Sequence, residues 1–106
     1  MVDIEFLRKN CTYCNWWGIS TLLKSAEDGI WDYRCNSNKE EKEKIKEGVY
    51  EDLVTILAYL FIMGIDFSDR DFKRDIDLVL QHIERREKIR CLNNDKIQEV
   101  NHARED

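Results

Sequence analysis

The chain contains no proline and only four glycines in 106 residues. No linker announces itself by composition, and no internal repeat or low-complexity segment marks a boundary, so the apolar pattern alone must reveal the elements. Long apolar runs are missing too. The longest, LVTILAYLFIM at residues 53–63, falls well short of the about 20 residues a membrane span requires. Basic excess is also lacking: 22 acids against 17 Lys and Arg leave a net charge of -5, which argues against general attraction to phosphates or anionic membranes. There is no Gly-rich phosphate loop, no G-x-S-x-G elbow and no H-E-x-x-H, and the two histidines have no identifiable partners. No enzyme is expected. The start, MVDIEFLRKN, carries acids where a secretory signal has a basic region, and no apolar segment follows it. A cytoplasmic protein is expected, in which four cysteines serve as thiols or metal ligands rather than disulfides.

What is present suits one small domain over residues 1–106, since 42% hydrophobic content at this length is enough for a single core. From Asn38 onward Ile45, Val49, Leu53, Ile56, Leu60 and Met63 fall within an arc of about 80° at helical rotation. Val54, Tyr50, Leu57 and Phe61 widen that arc to about 180°, and Ile62 lies outside it. Gly64 suits the position just past a helix, and Ser68 with Asp71 reads as a capping box for the next one. Phe72, Ile76, Val79, Leu80 and Ile83 give a second stripe, with Asp69, Asp71, Asp75 and Asp77 early and Arg85, Arg86, Lys88 and Arg90 late, as the helix dipole favours. The expectation is an antiparallel αα-hairpin over 39–91. A polar tail follows at 93–106, with a short helix conceivable around Ile97 and Val100.

The stretch GISTLLKSAEDGIWDYRC admits two readings. Ile19, Leu22, Leu23 and Ala26 fit a helical stripe, whereas ISTLLK and IWDYRC read as strands joined by a turn at Asp28-Gly29. The alternation of Trp31, Tyr33 and Cys35 with Asp32 and Arg34 favours strands. With Cys11 and Cys14 ahead of that hairpin and Cys35 at its end, residues 11–38 resemble a zinc ribbon. The resemblance implies zinc and a fold that is mainly α with a small β-hairpin, the knuckle and hairpin packing on the αα-hairpin. It fails at Asn38, where a ribbon has its fourth cysteine. Candidates for the missing ligand are Cys91, His82, His102, Asp32 and water. Cys91 shares the core-facing side of its helix, and the expected hairpin returns it towards Cys35, so the expected structural zinc site is Cys11, Cys14, Cys35 and Cys91.

Other roles remain open for these residues. Cys11 and Cys14 could be free surface thiols or a redox dithiol, Cys35 and Cys91 small buried hydrophobes, and the tryptophans core or collar residues. The functional expectation is a small zinc-stapled adaptor or inhibitor of a larger protein, a build shared with accessory and viral regulators. The apolar circumference of residues 53–63 is too wide for one neighbour, so Val54, Leu57, Phe61 and Ile62 are expected to meet a partner protein or a second copy in a homodimer. Inside the monomer, Ile4, Phe6 and Leu7 are the alternative cover. The other function considered is a zinc-ribbon nucleic-acid-binding module using Trp16, Trp17, Lys24, Arg34 and the late basic cluster.

Overall fold

A computed structural model describes the backbone of residues 1–105 and the side chains of residues 1–96. Four helices follow one another: α1 (Ile4–Asn10), α2 (Trp16–Cys35), α3 (Lys39–Ile62) and α4 (Phe72–Glu105). No strand occurs among the described residues. The chain divides into two compact units, residues 1–68 and 69–106.

In the first unit each helix start has a side-chain cap. Asp3 accepts from the Phe6 amide, Asn15 from the Gly18 amide, and Asn38 from the amides of Glu40 and Glu41. Each replaces an acceptor that the first turn of a helix lacks. The residue standing where a ribbon would place its fourth cysteine is therefore the N-cap of α3. Asn36 reinforces the connector, its side chain accepting from the Asn38 amide at 2.8 Å. With only Asn36–Asn38 between them, α2 and α3 fold back on each other as an antiparallel pair.

Both expected strands, ISTLLK and IWDYRC, lie inside α2, so the β-hairpin and the ribbon-like packing it implied are corrected to helix. The physical reason is the partner. Ile19, Leu22, Ala26, Gly29 and Tyr33 recur at three- and four-residue intervals, α2 packs on α3, and at Gly29 the stripe meets Val49 and Ile45. Gly29 makes no turn: its missing side chain lets Val49 approach the α2 backbone. α2 and α3 form an αα-hairpin, and the 39–91 stretch takes in α3 and part of α4.

α1 packs against α3, where the Arg8 Nε donates to the Ile62 carbonyl at 3.0 Å. The residues buried in this unit are few, chiefly Ala26 in α2 with Ile56 and Ile62 in α3. Past α3, Gly64 takes φ +98°, the left-handed conformation expected of it, and the Ile65 amide donates to the Leu60 carbonyl at 2.8 Å.

In the second unit α4 begins one residue after Asp71, whose carboxylate accepts from the Arg74 amide at 3.1 Å. Asp71, not Ser68, caps this helix. It continues through the stretch whose composition marks a polar tail, absorbing the short helix expected near Ile97 and Val100. No helix is long and apolar enough to cross a membrane among the described residues.

Candidate protein-docking flank

The segment between α1 and α2 is a tightly folded knuckle. Cys11 and Cys14 are joined by a disulfide, their Cα atoms 5.7 Å apart. The Asn15 amide donates to the Tyr13 carbonyl at 2.9 Å, and the Asn15 side-chain amide donates to the Thr12 carbonyl at 3.1 Å. Tyr13 stacks on Trp17 with ring centroids 6.2 Å apart. Gly18 lies so close beneath the Tyr13 carbonyl that any side chain there would collide with it.

The structure does not assemble the expected four-thiolate site. Cys14 immediately precedes the α2 N-cap and Cys35 is the last residue of α2. Twenty helical residues separate them by about 30 Å, too far for one ion. Cys35 and Cys91 are exposed free thiols, and Cys91 lies in the other unit. No group of three or more potential metal ligands occurs among the described residues. The His102 side chain falls outside the described residues.

The four residues expected to meet a partner divide. Ile62 is buried at 9% exposure, whereas Val54, Leu57 and Phe61 remain about two-fifths exposed. α1 therefore fastens onto the end of α3 without covering the wide apolar arc.

That arc continues across the seam. Measured from Ala26 in the sense of chain rotation, Ile30, Leu23 and Trp16 stand at about 40° to 80° on α2; from Ile56, Leu53, Leu57, Tyr50 and Phe61 stand at about 60° to 140° on α3. In an antiparallel pair, displacements of the same rotational sense fall on the same side. The two rows thus form one apolar flank of the pair. Its members are exposed, Trp16 at 75% and Ile30 at 58%. A groove of about 320 Å3, lined by Ile30, Tyr33, Lys46 and Val49, opens on it near the connector. Polar residues rim that end: Lys42 stands 4.9 Å from the centre of the Tyr33 ring, and Lys46 lies 3.8 Å from Glu43.

The wide apolar arc of α3 is legible in the sequence, whereas the row on α2 that continues it is not. The signal was the seven-residue spacing of Trp16, Leu23 and Ile30, concealed when part of that stretch is read as strand. On the outer face of α2, Trp17, Lys24 and Trp31 repeat the same spacing.

On α4, Lys88 donates to the Glu84 carboxylate at 2.7 Å. This hydrogen bond, with the charge attraction behind it, holds the Glu84 pKa below its ordinary value and the Lys88 pKa above its own. Both groups are fully exposed, so the pair supports the helix locally and is no sign of a buried reactive centre.

No protein-family model, no curated protein and no solved structure matches this chain.

Proposed function

We propose that the chain acts by binding a larger protein, as an adaptor or inhibitor, through the flank shared by α2 and α3. The observation that carries this reading is the continuity of the exposed apolar surface from Trp16, Leu23 and Ile30 to Leu57 and Phe61. Leaving such side chains wet forgoes about 1.5 to 3 kcal/mol each relative to full burial. Aromatic anchors within an aliphatic patch and charges at its rim also match the usual anatomy of binding surfaces. A photo-crosslinking residue at Leu57, on the flank, is compared with one at Glu51, on the outer face of α3. Adducts with one discrete partner from position 57 and none from position 51 are expected; equal labelling from both positions contradicts the reading.

A second reading, single-stranded nucleic-acid binding, is favoured by the Trp17, Lys24 and Trp31 row, because bases stack on exposed aromatic rings beside a cation. The net charge of -5 works against it. Binding of a labelled oligonucleotide at low salt, lost in Trp31→Ala, would favour this reading over the first.

A further inference from the structure

We infer that the Cys11–Cys14 pair is a thiol–disulfide exchange site whose co-substrate is a low-molecular-weight thiol of the glutathione class. Four observations converge on the pair. The two cysteines are bonded and only half-buried, so an incoming thiolate can reach them. The bond closes a loop across three residues of sequence, the kind of cross-link that restricts an unfolded chain least. It is a poor staple.

The surroundings are also poor in negative charge for a chain that is acidic overall. From Arg8 to Ala26 the sequence carries no carboxylate, and Arg8, at its edge, is paired with Glu5 at 3.1 Å. The end of α3 against which α1 packs, Leu57–Gly64, carries no carboxylate either. The scarcity of carboxylates there, with the N-terminus of a long helix one residue beyond Cys14, favours a thiolate over a thiol.

Finally, the knuckle does not depend on the S–S bond for its shape. Asn15 ties Thr12 to the first turn of α2, Gly18 admits the Tyr13 carbonyl, and Tyr13 stacks on Trp17. The two sulfurs therefore stay close when the bond opens, which makes its re-formation an intramolecular step with a high effective concentration.

The chemistry balances with two equivalents of thiol. A thiolate attacks the Cys11 Sγ, the S–S bond breaks, and its electron pair leaves on the Cys14 Sγ, the sulfur nearer the α2 N-terminus. A mixed disulfide now joins Cys11 to the small thiol. A second thiolate attacks the small-molecule sulfur of that bond, releasing Cys11 as a thiolate and the two small thiols as their disulfide. The protein disulfide has gained two electrons and two protons, and two thiols have been oxidised.

The test uses the full chain in buffers of reduced and oxidised glutathione, trapped by alkylation and read by peptide mass. Cys11 and Cys14 should pass together between bonded and alkylated forms as the ratio changes, with helical circular dichroism retained and Cys35 and Cys91 not pairing with either. In Cys14→Ser, Cys11 should accumulate as a stable glutathione adduct, because the resolving thiol is gone. In the reduced wild type, Cys14 should alkylate about tenfold faster than Cys35 at neutral pH, as its larger thiolate fraction requires. The proposal is overturned if the bond survives excess thiol until the chain unfolds, or if the reduced pair fails to close in oxidised glutathione. It is equally overturned if the reduced pair takes up zinc at one ion per two chains and then resists oxidation.

Discussion

Gly29 of α2 meets Val49 of α3 so closely that a Cβ on the glycine would stand 2.7 Å from the valine Cγ2. The seam between the helices is set at this point by the absence of a side chain. Glycine within a helix ordinarily costs about 0.5 to 1 kcal/mol relative to alanine, and here closer packing offsets the cost. Gly29→Ala should destabilise the protein by about 1 kcal/mol, because displacing a stiff β-branched neighbour outweighs the gain in propensity. Gly48→Ala, on α3 with nothing within 4 Å of its added methyl, should stabilise it by about 0.5 to 1 kcal/mol. Urea unfolding of the two variants checks the opposite signs.

Asn15 joins two jobs that are usually separate. Its side-chain oxygen Oδ1 accepts from the Gly18 amide at 3.0 Å, and its side-chain amide Nδ2 donates to the Thr12 carbonyl at 3.1 Å. Asn15→Asp keeps the cap and loses the second bond, whereas Asn15→Ala loses both. The expected order of stability is wild type, then Asp, then Ala, with Ala lower than wild type by about 1 to 2 kcal/mol. Amide exchange should quicken first over residues 11–19.

The Glu84 and Lys88 pair has a defined pH window. Glu84 has a depressed folded pKa, so its contribution is present above its ordinary value of 4.5 and is lost as pH falls through the folded value. Lys88 has a raised one, so its contribution is complete below 10.5 and is lost as pH rises through the folded value. Between those limits the pair supports α4. Following the Glu84 carboxyl by NMR, the inflection should move up towards its ordinary position in Lys88→Gln, and high salt should shrink the difference.

Local signals in the sequence were legible, and those needing a neighbour were not. Gly64 past the end of α3 follows from backbone rules and matches the structure; of the stripe from Ile45 to Met63, Ile45, Val49, Ile56 and Leu60 are covered, whereas Leu53 and Met63 stay exposed. Residues 30–35 alternate like a strand, yet the match of Ile19, Ala26 and Tyr33 to the α3 stripe decides in favour of helix, which the segment alone does not reveal. The cysteines divide the same way. A separation of three brings Cys11 and Cys14 together whatever the fold does, whereas placing Cys35 beside them required the hairpin that α2 replaces.

The flank should tolerate charge in the folded chain and lose its function. Leu57 and Phe61 are about two-fifths exposed, so glutamates there can reach water, and Leu57→Glu with Phe61→Glu should retain helical circular dichroism while costing less than about 2 kcal/mol in stability. Dye fluorescence that reports exposed apolar surface should fall relative to wild type.

Docking at the α2–α3 flank is read out by crosslinking mass spectrometry from position 57 in the native cell, with the Leu23→Glu variant as the internal control. Leu23 lies on α2, across the seam from the crosslinker. One discrete partner adduct is expected from position 57, reduced at least about tenfold by Leu23→Glu, since a charge buried in an interface costs several kcal/mol, with the fold intact by circular dichroism. An adduct undiminished by Leu23→Glu, or a well-folded chain that yields no adduct from position 57, would contradict docking at this flank.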